Sequence, residues 1–239
     1  MATPLARLLL HRGVDVTQPE LQRVVDGAEP GPSLLRRLAP VLGLHAADLF
    51  VVAGLEVPED LAPLAARDES RVERVVRHAV LLGPDQRHRL RQLVRSLPQV
   101  DRWQPVEDVR SYEQYEPGPG ALVLRMLHSR NLSWVSSAKL LFGLTRTGPL
   151  AASTIGAIGH GRKKLTPELV AAFATVLGIP PDDLAALTGT ELPGEPRPPH
   201  RAAADLAELI WELRRLTAEQ TDRVLEEAMS MPSEAGGAR

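Results

Sequence analysis

A chain of 239 residues with 44% hydrophobic side chains can fill one large core or two small ones, which excludes a disordered protein. The absence of cysteine removes disulfides, thiolate zinc sites, iron–sulfur clusters and cysteine nucleophiles, and a formal net charge of −2 leaves the choice of partner to where charge sits. With 3% aromatics, 21 prolines and 18 glycines, Leu, Val and Ala must build the core from short, often interrupted elements.

In chain order, the opening MATPLARLLLHRG is too weakly apolar and too soon charged for a secretory signal, so a cytoplasmic location is expected. Residues 1–62 read as a helical unit that sets Arg7, Arg12 and Arg23 against Asp15, Glu20, Asp26 and Glu29. Its longest apolar run, LFVVAGL from Leu49 to Leu55, falls far short of the roughly 18 residues of a membrane helix, and no membrane partner is expected. Residues 63–98 follow as a helical hairpin with an apolar stripe of Val72, Val75, Val76, Ala79, Leu82, Leu90, Leu93, Val94 and Leu97. Residues 99–120, rich in Pro, Gly and charge, read as a linker.

Residues 121–192 read as a second helical unit. Within it Thr166, Pro167 and Glu168 supply a cap, a helix-starting proline and a first-turn acid, and Gly178 a left-handed exit. Between them Leu169, Val170, Phe173, Val176 and Leu177 line one face, and a shorter helix after Pro180 and Pro181 turns Leu184 and Leu187 inward. Residues 193–201 are a second linker, 202–232 a second hairpin with Leu206, Leu209, Ile210, Leu213, Leu216, Val224, Leu225 and Ala228 inward, and 233–239 a frayed tail. No segment alternates convincingly with period two, so the expected class is all-α.

The chain repeats itself. Leu34 to Pro58 lies over Leu169 to Pro193 without a gap and with ten of 25 positions identical, where chance gives about two to three. Leu82 to Pro98 lies over Leu216 to Pro232 at nearly the same offset. Between His11 and His128 the offset is 117 rather than 135, so the first copy lacks 18 residues, the length of one helix and its turn. Each hairpin either packs on its own unit or pairs with the other hairpin, within a chain or between chains. Pairing is preferred, because a lone helical hairpin buries too little to be stable.

Leu122 to His128, NLSW opening at Asn131, STIGAIGHGR from Ser153, and LTPELVAAFATVLGIPPDDLAAL resemble the XRE family, the Cro and lambda-repressor-like helix-turn-helix proteins, over about 70 residues. The resemblance implies two lambda-repressor-like units, each followed by a hairpin, the first degenerate for want of its second helix. It also implies that double-stranded DNA is the partner and that the third helix of the second unit enters the major groove. Ala152, Ser153, Thr154, Gly156, Ala157 and His160 would then face the groove, while Ile155 and Ile158 anchor the helix to the core. Arg162, Lys163 and Lys164 would meet phosphates, with Ser133, Trp134 and Arg146 as further contacts; Trp134 is either a packing staple or a contact residue whose indole N–H donates to a phosphate. The turn around Gly143 to Pro149 is longer than the family norm. The third helix lacks the Arg, Gln or Asn readers that discriminate bases strongly, so direct readout is weak.

From Ala121 to Pro167 the chain carries Arg125, Arg130, Lys139, Arg146, Arg162, Lys163 and Lys164 and no acid, which supports that reading. The seven histidines are scattered without ligand spacing, and no nucleophile elbow or convergent acid–base set is present, so no metal, cofactor or catalytic residue is expected. Asp182 and Asp183 are explained by a helix start. A single reading head leads to the expectation of a homodimer on a roughly palindromic site. The alternative is a non-catalytic interaction module that keeps the helix-turn-helix core only as scaffold.

Overall fold

A computed structural model describes residues 2–64, 70–98, 113–192, 194 and 198–233. These residues form thirteen α-helices and no strand, the all-α class expected. The amino-terminal half holds α1 (Pro4–His11), α2 (Pro19–Val25), α3 (Pro32–Leu42) and α4 (Ala46–Ala53), then α5 (Ser70–Ala79) and α6 (Pro84–Ser96). The carboxyl-terminal half holds α7 (Pro119–His128), α8 (Trp134–Thr145), α9 (Ala152–Gly159), α10 (Pro167–Leu177) and α11 (Pro181–Thr188), then α12 (Ala203–Leu213) and α13 (Ala218–Ser230). One helix, α2, lies between α1 and α3, where the other half has α8 and α9 between α7 and α10.

The prolines set helix starts. Seven helices have proline in their first turn, where the missing N–H has no intrahelical partner to lose. The equivalent exits of α3 and α10 fall on Gly43 and Gly178, at φ 64° and 71°, a left-handed turn that glycine makes without strain. Ser133, Thr166 and Thr217 each accept a backbone N–H three residues on and so cap α8, α10 and α13.

The linker read at 99–120 ends earlier than the sequence suggests. Residues 99–112 lie outside the described residues, and Pro119 and Gly120 already belong to α7. Of the segment 193–201, residues 193 and 195–197 lie outside the description, as do 234–239 of the tail; the His200 N–H donates to Leu144 O at the end of α8.

The two halves interlock. α1 packs on α11 and α7 on α4. The two segments read as hairpins, α5 with α6 and α12 with α13, pack on each other inside the chain, but within each segment the two helices make little contact, so their main partners are the helices of the other segment and not each other. A single apolar cluster runs through both halves, from Leu5 to Ala228. Two hydrogen bonds are reciprocal between residues the sequence alignment matches: Gln86 Nε2 donates to Pro232 O at 2.9 Å, and Gln220 Nε2 to Pro98 O at 2.8 Å. Arg130, fully buried, forks onto Asp48 at 2.7 and 2.8 Å and also donates to Met126 O and Leu177 O; Arg12 pairs with Asp183 at 2.5 Å. Asp183 therefore serves a tertiary pair besides its place in the first turn of α11. Beside Arg130, His45 stacks on Trp211 with ring centroids 3.6 Å apart, and Arg214 covers the same indole at 3.5 Å. Burial holds the His45 imidazole down at about 4, with Arg130 and Arg214 adding to the shift against the opposing pull of Asp48. Burial likewise brings Arg214 down to about 10.

The ion pairs between the hairpins have one polarity. Arg71, Arg87, Arg91 and Arg95 come from the amino-terminal hairpin, and Asp222, Asp205 and Glu212 from the other, at 2.6 to 3.0 Å. Two identical hairpins would face arginine with arginine, so this arrangement selects the partner within the chain over a second copy of the same hairpin.

Candidate nucleic-acid interface

The third helix of the carboxyl-terminal half, α9, has an inner and an outer face. Ile155 and Ile158 are buried in the core, where the resemblance placed them. Ala151 and Ser153 are exposed, and Ala152, Thr154, Ala157 and His160 half-exposed. After Gly159 the chain turns at Gly161, and the Lys163 N–H closes the turn on Ala157 O. Arg162, Lys163 and Lys164 stand exposed beyond it.

The glycines of α9 answer to neighbouring side chains. A Cβ on Gly156 would lie 2.5 Å from the Trp134 ring, and one on Gly159 would lie 2.7 Å from Tyr115. A glycine costs up to about 1 kcal/mol against alanine inside a helix, and here that cost admits two aromatic rings against the helix backbone. Gly156 is buried beneath Trp134 and does not form part of the outward surface, which corrects its assignment to the groove face.

Of the two readings of Trp134, packing staple and phosphate contact, the geometry supports the first and corrects the second. Its indole N–H donates to Tyr115 Oη at 2.7 Å, so the phosphate donor expected there is already engaged, and the ring is a packing plate between α8 and α9. Ser133 caps α8 by accepting the Ser136 N–H at 3.2 Å, and its hydroxyl also donates to Ser136 Oγ. His160 meets the edges of Tyr115 at 4.9 Å and Trp134 at 6.2 Å between centroids. Tyr115, missed because it lies in a segment read as linker, thus organises the inner side of α9. Its Pro-Gly surroundings carry no periodic signal.

The seven cations of the acid-free segment separate into two groups. Arg130 is neutralised by Asp48, Lys139 lies 3.1 Å from Glu73, and Arg125 donates to Tyr115 O at 2.7 Å. Arg146, which ends α8 in the left-handed conformation at φ 60°, is exposed like Arg162, Lys163 and Lys164. None of these four makes an ion pair with the described residues. The outward surface therefore combines small and hydroxyl side chains on α9 with four solvated cations nearby in sequence, a combination suited to a polyanion.

Among the described residues no group of His, Asp or Glu is arranged to hold a metal ion, and no single helix is long and apolar enough to cross a membrane. No family model, no curated protein and no solved structure matches this chain.

Proposed function

We propose that the chain is a DNA-binding transcriptional regulator, specific or semi-specific for sequence, in which α9 lies in the major groove of a duplex. Arg146, Arg162, Lys163 and Lys164 meet its phosphates. The observation that carries this reading is the outward, acid-free surface of α9 beside four exposed cations. Ser153, Thr154 and His160 are the polar side chains on that surface, so base discrimination is modest and the phosphate term dominates affinity. Support for the XRE resemblance comes from the order α7 to α11, with α8 and α9 packed together and Ile155 and Ile158 turned inward.

We further read the two halves as descendants of one duplicated unit, with α8 lost from the first. The reciprocal Gln86 and Gln220 contacts favour that reading. The trailing helices already cover each other within one chain, and a homodimer on a roughly palindromic site is proposed on the ground of the single reading head alone, one chain on each half-site.

The test is a salt-series binding measurement on random duplexes. Replacing Arg162, Lys163 and Lys164 by alanine removes up to three phosphate contacts and flattens the log–log salt slope by about 2.7. A slope equal to that of the native chain refutes the phosphate role. The second reading, a protein-interaction module, is favoured by one observation: Val135 and Phe142 are 50% and 42% exposed on α8. Absence of any duplex retention at low salt decides for it.

A further inference from the structure

The outer stripe of α8 carries Val135, Lys139, Phe142 and Arg146, spaced three to four residues apart and all exposed. At about 100° per residue, Trp134 and Lys139 fall on opposite sides of that stripe. On the Trp134 side lies α9, seated under the indole at Gly156. On the Lys139 side lies α5 of the other half, where Lys139 Nζ meets the buried Glu73 carboxylate. The three helices thus form one band in the order α9, α8, α5.

Arg74 and Arg77 stand exposed on α5. Arg77 also reaches Glu73 from the solvent side at 3.5 Å, with its own side chain 65% exposed. Glu73 is the one carboxylate carried by α5, α8 and α9 together, and its side chain is 1% exposed between two cations. The band and the segments that directly follow α8 and α9 consequently carry the exposed cations Arg74, Arg77, Arg146, Arg162, Lys163 and Lys164, with no exposed acid on the described side chains of its three helices. Packed helices lie about 8–10 Å apart, so α5 runs roughly 16–20 Å from α9, within the 34–36 Å rise of about one duplex turn.

We propose that Arg74 and Arg77 bind backbone phosphates of the same duplex whose groove receives α9. The amino-terminal half, which has one helix fewer before its hairpin, then contributes to DNA affinity through α5. This rests on the DNA-binding reading above and extends it to a surface assembled from both halves. Charge complementarity calls for an anionic partner, and continuity with the α9 face selects a duplex over an acidic protein segment.

The experiment measures binding of the full-length chain to a random duplex of about three helical turns, roughly 30 base pairs, across a salt series. The Arg74→Ala, Arg77→Ala double variant should flatten the slope by about 1.8 and weaken binding on the order of tenfold at moderate salt. Lysine at both positions keeps the charge and should keep the native slope. Arg89→Ala, an exposed site on α6, should alter neither quantity. A native slope in the double alanine variant, alongside a flattened one in the Arg162, Lys163 and Lys164 variant, overturns this inference and leaves the DNA reading standing. A native chain that retains no duplex at low salt overturns both. Circular dichroism and thermal melting of each variant separate lost contacts from lost fold.

Discussion

Replacing Gly120 with alanine tests whether α7 and α9 approach through their backbones. A Cβ at this position would sit 2.0 Å from the Ile158 carbonyl oxygen and 2.8 Å from its carbon. Neither atom belongs to a flexible side chain, so a new methyl can be accommodated only by moving one helix from the other. Overpacking of this kind costs about 1–3 kcal/mol and sometimes more, against a helix-propensity gain of at most about 1 kcal/mol. With an overlap as close as 2.0 Å against backbone the upper end of that cost applies, so the expected net loss is about 2 kcal/mol, which for a chain of this size lowers Tm by roughly 4–8 °C. Gly143 in α8 is the internal control, because a Cβ there meets nothing within 4 Å. Alanine at Gly143 should raise Tm by up to about 2–4 °C. Urea midpoints at unchanged m, with thermal melts beside them, provide the readout. If Gly120→Ala melts at or above the native temperature, the close contact of α7 with α9 is wrong, and with it the account of how α9 is held outward.

Two further outcomes follow from the contact between the halves. Asp48→Ala leaves the buried Arg130 guanidinium without its carboxylate and should cost about 3–5 kcal/mol by urea unfolding, whereas Asp48→Leu combined with Arg130→Met should recover much of that loss; equal stability of the single and double variants would contradict the burial argument. For His45, the folded pKa of about 4 lies below the ordinary 6.5, so the unfolded chain takes up the proton first as pH falls. Stability from this group is intact above about pH 6.5 and declines toward pH 4, by up to about 3 kcal/mol in all. His45→Phe keeps an aromatic ring against Trp211 and should lose less stability between pH 7 and pH 5 than the native chain does; parallel losses would rule out His45 as the source.

Much of the local structure is legible in the residues because it depends on neighbours a few positions away. Pro167 starts α10, Thr166 caps it, Gly178 ends it, and the spacing of Leu169, Val170, Phe173, Val176 and Leu177 turns them to the core; each follows from backbone geometry within one or two turns. The all-α class and the helices α5, α6, α12 and α13 follow from the same short-range periodicity. What the tertiary structure decided is which side chains find partners across long separations. Asp48, 82 positions from Arg130, and Glu73, 66 positions from Lys139, withdraw two of the cations that the linear string shows as unopposed. Likewise the small residues of α9 resemble a surface kept slim for a groove until Trp134 and Tyr115 are seen lying on Gly156 and Gly159. Periodicity reports which face of a helix is buried, but it does not report against what, because that depends on shape and charge brought together only when the whole chain packs. The same limit applies to the hairpins: their apolar stripes announce that each needs a cover, and only the placement of Arg71, Arg87, Arg91 and Arg95 against Asp222, Asp205 and Glu212 selects the other half of the same molecule.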